Sequence, residues 1–130
     1  MARDKKDPEG SVRTHHLEGK IIETIYEGYI SVPMITQVLS DMTPLLRLYP
    51  GADWLINSIG ATGIAPAPHN TRMAIFDTFK KEGGGKIAGI VRSAPMRMIA
   101  VTLGFAFGLP LKIFETRLDA LTYLREGPSK

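Results

Sequence analysis

The sequence predicts an α/β fold: a four- to five-stranded, mostly parallel sheet with α-helices, the fifth strand being an antiparallel edge strand. Short apolar runs alternate with longer segments whose apolar residues recur at helical spacing, which is typical of a parallel sheet covered by helices. At 130 residues, with 44% hydrophobic and 22% charged residues, the chain is long enough to bury one core. We expect a disordered tail over residues 1–12 and a single domain over residues 13–127.

The first strand is predicted from the β-branched residues of segment 17–25. The residues just before it, 11–17, are the candidate for the antiparallel edge strand. The sequence Tyr-Glu-Gly-Tyr at 26–29 carries a glycine between polar and aromatic residues, and we expect a turn there. Glu23 and Glu27 would then lie around a strand end and act as solvated carboxylates.

A first helix is predicted to begin after Ser31, a residue type that caps helices. Pro44 falls inside its pattern, so the helix should kink there or break one residue earlier. Its end is expected at Pro50 and Gly51. The residues that predict it form one apolar stripe: Ile35, Val38, Leu39, Met42, Leu46 and Tyr49.

The rest of the chain continues the alternation of strands and helices. In chain order we expect a buried strand at 54–59, a Gly- and Pro-rich loop at 60–68, a helix capped by Asn70 or Thr71 and ended by the glycines 83–85, a strand at 86–91, a helix from Ser93 to Gly108, a strand at 111–114, and a last helix opened by a capping box of Thr116 and Asp119.

Four segments also resemble the SpoIIAA-like family of the STAS superfamily. They are Ile-Tyr-Glu-Gly at 25–28, Asp-Trp-Leu-Ile at 53–56 with Gly-Ala-Thr-Gly at 60–63, Lys-Ile-Ala at 86–88, and Phe-Glu-Thr-Arg-Leu-Asp-Ala-Leu-Thr-Tyr-Leu at 114–124. The resemblance covers residues 15–125. It implies a four- or five-stranded sheet with helices, and binding or regulatory modules rather than enzymes.

The loop after the central strand departs from the phosphorylated STAS regulators. The resemblance implies an Asp-Ser pair there, whose phosphate would meet a helix N-terminus, but Ala65 and Ala67 occupy this region. The alternative function is therefore a phospho-regulated or anion-binding protein, or a small enzyme, that uses the 60–72 loop. Thr62 or Thr71 would supply its hydroxyl, and Arg72 or Arg92 its cation.

The third predicted helix is apolar nearly all round. Met96, Ile99, Ala100, Leu103 and Phe107 form the stripe that should cover the sheet, whereas Met98, Val101 and Phe105 lie on the other side. One interpretation is that this second face contacts an identical subunit, another protein or an apolar ligand. The other is that a neighbouring helix or the N-terminal tail covers it.

Other classes of function find little support in the residues. The chain has no cysteine, which suits a cytoplasmic protein and excludes thiolate metal sites. His15 and His16 would point to opposite faces of a strand, and His69 is distant, so no metal or cofactor is expected. Residues 21–59 are mildly acidic and 60–112 basic, but no aromatic residues are interleaved with the basic ones for nucleic-acid binding. The longest uncharged stretch, 98–111, is too short to span a membrane.

These observations lead to one hypothesis: a cytoplasmic, non-enzymatic binding or regulatory module that forms a homodimer through its third helix or binds a protein partner there. A lipid or another small hydrophobic molecule bound between helices is one version of it. Open α/β sheets place ligands at the carboxyl ends of their strands. The candidate binding residues are Met98, Val101 and Phe105 for apolar contact and Thr62, Arg72 and Arg97 as polar groups.

Overall fold

The computed structural model describes residues 10–65, 69–98, 101 and 111–126, with only the backbone at residues 69, 70 and 72. A third helix, α3, is described at residues 94–98 and at Val101. The other elements, in chain order, are β1 (Ser11–Glu18), β2 (Ile21–Ile30), α1 (Val32–Leu48), β3 (Asp53–Ile64), α2 (His69–Lys81), β4 (Ile87–Ile90), β5 (Leu111–Phe114) and α4 (Arg117–Arg125).

The five strands form one sheet in the order of the sequence, β1 to β5. β1 runs antiparallel to β2, and every other neighbouring pair is parallel. Each parallel pair is joined by a helical crossover, because a parallel connection must return along the sheet. The predicted α/β class, with its mostly parallel sheet and antiparallel edge strand, is confirmed.

The strands bury side chains on both faces of the sheet, as parallel strands usually do. On one face, Ile22, Trp54 and Ile87 pack with α1 and α2; we call this the α1/α2 face. On the other, Leu55, Ala88 and Ile90 pack with residues of α4; we call this the α4 face. Alternation along β3 therefore places Trp54 and Leu55 in two separate apolar clusters.

Two segments expected to be irregular are strand instead. The predicted turn at 26–29 and the first half of the predicted loop at 60–68 pair with each other, as β2 continues to Ile30 and β3 to Ile64. The pairing tolerates glycines because two irregularities interrupt its register, and Gly28 adopts a φ of 73°. A Cβ at Gly60 would lie 3.2 Å from Cγ of Glu27, so a small residue suits this close approach.

Element ends also refine the predictions. β1 begins at Ser11, where the predicted edge strand begins, so Ser11 and Val12 lie in the sheet and not in the tail predicted over residues 1–12. α1 continues through Pro44 without a break. Two predicted caps are confirmed, because the hydroxyls of Ser93 and Thr116 accept hydrogen bonds from the amides three residues later. Among the described helices, none has the length and apolar character needed to cross a membrane.

Candidate functional site

An apolar cavity of about 140 Å³ lies on the α1/α2 face of the sheet. The strands β2 to β5 line it from one side, and α1, α2 and α3 contribute side chains from the other. The described lining residues are Tyr26, Ile30, Ile35, Trp54, Ile56, Ser58, Ile64, Ile75, Phe76, Gly89, Val91, Met96, Leu111 and Ile113. A cavity between a sheet and its crossover helices, with so apolar a lining, is suited to a small ligand.

The cavity follows from the strand alternation and from one glycine. Trp54, Ile56 and Ser58 occupy alternate positions of β3, so all three face the same side of the sheet. Gly89 of β4 lies beside Ile56 and contributes no side chain to the lining. A Cβ at Gly89 would lie 3.1 Å from Cδ1 of Ile113, so the side chain of Ile113 on the neighbouring strand already occupies the space beside this position.

Two hydroxyl-bearing residues interrupt the hydrocarbon lining. Tyr26 of β2 lies beside the β3 segment that contains Ser58, because Ile25 pairs with Asn57 and Glu27 with Gly60. Neither hydroxyl makes a hydrogen bond within the described residues, and burial raises the pKa of the Tyr26 phenol well above its usual range. The indole of Trp54 differs, since its Nε1 donates to Oγ1 of Thr24 at 3.0 Å.

A buried polar cluster lies on the opposite, α4 face. Glu23 is only 1% exposed, and Arg117 at the start of α4 donates to both of its oxygens, Nη2 to Oε1 at 2.9 Å and Nε to Oε2 at 3.2 Å. Nδ2 of Asn57 donates to Oε2 at 3.2 Å, and Nε2 of His15 lies 3.4 Å from Oε1. The prediction that Glu23 is a solvated carboxylate is therefore wrong.

The electrostatics of this cluster favour the ionised form of the Glu23 carboxylate. Burial acts to raise the pKa of Glu23, but the hydrogen bonds from Arg117 and Asn57, with the charge of Arg117, bring it below its usual value. Nδ1 of His15 is buried without a hydrogen-bond partner in the described structure. With both oxygens engaged, Glu23 is poorly placed to accept a proton from a substrate, and the cluster acts as an anchor between β2 and α4.

A polar cleft opens beyond the carboxyl ends of β4 and β5, next to the middle of β3. It is lined by Ile59, Arg92, Glu115, Thr116 and Arg117. Two of its charges are paired: Arg117 with Glu23, and Glu115 with Arg97, whose Nη2 lies 2.7 Å from Oε2. Arg92 makes no ion pair within the described residues. Arg97, predicted as a polar binding residue, thus makes an ion pair at the end of β5.

The other predicted binding residues are dispersed over the described surface. Met98 and Val101 on α3 are 72% and 53% exposed. Thr62 is exposed on β3, and Arg72 lies in α2, where only its backbone is described. Phe105 lies outside the described residues. None of the predicted residues whose side chains are described lines the cavity, which instead contains Met96, two residues before Met98.

Tyr26 and Ser58 were missed for identifiable reasons. Tyr26 lies in the segment predicted to be a turn, and Ser58 lies within the apolar run that predicts a buried strand at 54–59. The useful signal was alternation, because Trp54, Ile56 and Ser58 share one face of a strand.

The two adjacent histidines do diverge as expected: His15 approaches Glu23, whereas His16 stacks on Tyr49 with ring centroids 4.0 Å apart. Within the described residues, no group of three histidine or carboxylate side chains could hold a metal ion.

Comparison with known proteins identifies the fold. No family model and no curated protein matches the chain. Among solved structures, the anti-sigma factor antagonist SpoIIAA in its unphosphorylated form superposes with a TM-score of 0.63 at 10% identity, covering 90% of this chain and all of that one (100%). An anti-sigma factor antagonist from Mycobacterium paratuberculosis gives 0.57 at 14% identity, covering 91% and 96%. An uncharacterised protein with a SpoIIAA-like fold from Shewanella loihica gives 0.58 at 13% identity, covering 95% and 98%.

The chain therefore has the STAS, or SpoIIAA-like, fold, and the resemblance found in the sequence is confirmed at the level of fold. Identities of 10% to 14% show shared architecture alone. What the protein does has to be argued from its own cavity, cluster and surfaces.

Proposed function

We propose that this protein is a non-enzymatic regulatory module that binds a small hydrophobic molecule in the cavity of the α1/α2 face. The observation that carries the proposal is the cavity itself, about 140 Å³ in volume and lined almost wholly by hydrocarbon. An apolar cavity of about 150 Å³ in another protein stays dry and takes up benzene. A ligand the size of one aromatic ring would gain apolar burial against this lining.

The regulatory part of the proposal draws on the fold. Two of the solved structures that the chain resembles are anti-sigma factor antagonists. The non-enzymatic part draws on the side chains: Glu23, the buried carboxylate of the described core, is engaged by Arg117 and Asn57. A binding protein needs no reactive group beside its ligand, and the lining of the cavity supplies none among its described residues.

We further propose that α3 connects the ligand to association with a second copy of the chain, most simply in the cytoplasm. Met96 lines the cavity, whereas Met98 and Val101 of the same helix are exposed. Met98 and Val101 are three residues apart and share one side of the helix. Methionine side chains adapt readily to a partner surface, which suits a contact that changes with ligand occupancy.

Ligand binding is tested by titrating toluene into the protein and following the backbone amide signals by NMR. We expect saturable shifts at Ile56, Gly89 and Val91, which line the cavity. Ile56→Phe should weaken toluene binding because the larger ring occupies the cavity. Ile59→Phe, a matched change on the same strand in the polar cleft, should leave binding unchanged. Absence of saturable shifts in the wild type would refute the proposed ligand site.

Association is tested by light scattering on a size-exclusion column together with native mass spectrometry. The wild type should have the mass of a dimer and Met98→Glu that of a monomer. Leu48→Glu is the matched control, because Leu48 is as exposed as Met98, at 70%, but lies on α1. A monomeric wild type, or equal dissociation by both substitutions, would count against the α3 interface. The same mass spectra report co-purified ligands and phosphorylation.

A further inference from the structure

We infer that the cavity selects a neutral molecule with a ring-sized apolar body and one hydrogen-bonding group, a hydroxyl or a carbonyl, that meets Tyr26 and Ser58. This inference rests on the proposed function and adds the chemical class of the ligand. The two residues are the polar side chains of an otherwise apolar lining whose hydrogen-bonding capacity is unused within the described structure.

The position of the two hydroxyl-bearing residues is the first argument. Ile25 pairs with Asn57, so the next residues, Tyr26 and Ser58, lie alongside each other, and β3 has one extra residue before the next pair, Glu27 with Gly60. Irregularities of this kind re-aim side chains and occur often at functional sites. Ser58 follows Asn57, whose partner Ile90 is the last residue of β4, so both residues lie near the level of the carboxyl end of β4, and α/β sheets commonly bind ligands at the carboxyl ends of their strands.

Available hydrogen-bonding capacity is the second argument. Tyr26 and Ser58 are half-buried residues of the cavity lining, and each hydroxyl can donate one hydrogen bond and accept others from a group that enters the cavity. The described residues around Tyr26 supply hydrocarbon, and burial raises the pKa of its phenol with no hydrogen bond contributing. A ligand group that accepts from Tyr26 or exchanges a hydrogen bond with Ser58 would satisfy both the protein and the ligand.

Charge is the third argument. The described lining contains no Lys, Arg, His, Asp or Glu. An ionised carboxylate or ammonium group entering the cavity would lose its hydration without gaining a counter-ion, which disfavours it strongly. Glu23, the buried carboxylate of the described core, lies on the opposite face of the sheet and is paired with Arg117. The site therefore favours neutral molecules over fatty-acid or amine ligands.

Phenol and toluene are the appropriate probes, because they have nearly the same shape and differ in one hydroxyl. Dissociation constants are measured for both, by amide NMR shifts, with the wild type, Tyr26→Phe and Ser58→Ala. Loss of one hydrogen bond corresponds to about a tenfold change in affinity. We expect Tyr26→Phe to weaken the binding of phenol about tenfold and that of toluene less than twofold. Ser58→Ala should change the two affinities in the same direction.

Ser40→Ala on the exposed side of α1 is the matched control and should change neither constant. Benzoate, the charged counterpart, should bind far more weakly than phenol. Suppose that toluene binds but that each variant changes the dissociation constants of phenol and toluene by the same factor, or that benzoate binds as tightly as phenol. The inference about the polar group then fails, while the apolar ligand site remains supported. If neither probe binds the wild type, the inference and the proposed ligand site fail together.

Discussion

We expect the guanidinium of Arg117 to contribute more to the stability of the protein than the more exposed Arg125 of the same helix. Arg117 makes two hydrogen bonds to Glu23, at 2.9 and 3.2 Å, across the packing of α4 against the sheet. In Arg117→Ala, Glu23 would keep Asn57 and the nearby His15 but would lose its formal counter-charge. A carboxylate that is 1% exposed cannot replace that charge with water.

The magnitude follows from the burial of the two partners. Removing one member of a fully buried ion pair costs roughly 3–5 kcal/mol. The Arg117 side chain is 41% exposed, so solvent screens part of the interaction and the estimate is reduced to about 2–3 kcal/mol of unfolding free energy at neutral pH.

The loss should depend on pH in a defined direction. The folded-state pKa of Glu23 lies below its unfolded value, so its contribution to wild-type stability is present above that unfolded value, about 4.5, and is lost as the pH falls through the folded pKa. Without Arg117, burial acts to raise the pKa of Glu23, and protonation relieves the unpaired charge. The difference between Arg117→Ala and wild type should therefore shrink as the pH is lowered from about 7 to about 4.

Urea denaturation followed by circular dichroism at both pH values measures the effect. Arg125→Ala is the matched control, because Arg125 lies on the same helix and also makes a bidentate ion pair. Its partner is Glu18, at 2.7 and 2.9 Å, and this pair lies on the exposed surface. Its effect should be clearly smaller. Equal losses in the two variants, or a deficit that does not change with pH, would refute the assignment of Glu23 as a buried, ionised anchor.

Two further changes test the packing around the site. Thr24→Val should lower the free energy of unfolding by about 1–3 kcal/mol, because it leaves the buried Trp54 indole N–H without its acceptor. Thr14→Val removes the Thr14–Thr24 contact alone and should lower it less. The reverse order in urea denaturation would contradict the role of Thr24 as the acceptor for Trp54. Thr116→Ala should cost about 1 kcal/mol by removing the cap of α4, whereas Thr122→Ala on the exposed side of that helix should be nearly neutral; equal effects would argue against the cap.

The sequence was most informative where local rules and global packing agree. The stripe of α1 predicted four residues that are buried, Ile35, Val38, Met42 and Leu46. The strand at 111–114 has the predicted bounds, and the Thr116 cap has its expected partner. In each case the pattern that predicts the structure lies within one short stretch of the chain: a single helix, a single strand or a single helical turn.

Prediction failed where pairing is non-local. Glycines in 26–29 and 60–63 predict turns when each segment is considered alone, but the two segments stabilise each other as strands, Glu27 against Gly60 and Tyr29 against Gly63. The same holds for the site. Glu23 is buried because Arg117, 94 residues later, reaches it, and Tyr26 lines the cavity because β2 continues past the expected turn. Spacing along one segment contains no information about such partners.

The unequal strand lengths have a consequence for exchange kinetics. β4 pairs with β3 only from Trp54 to Asn57, so within the described structure the segment 60–64 is held by β2 alone. Two-stranded ribbons are marginally stable by themselves and open locally at low free-energy cost. Ile30 and Ile64, at the end of this ribbon, also line the cavity. We therefore expect a ligand to enter the cavity where this ribbon opens. The amide hydrogens of Ala61 and Gly63 should exchange with solvent faster than that of Leu55, and their exchange should slow when a ligand fills the cavity.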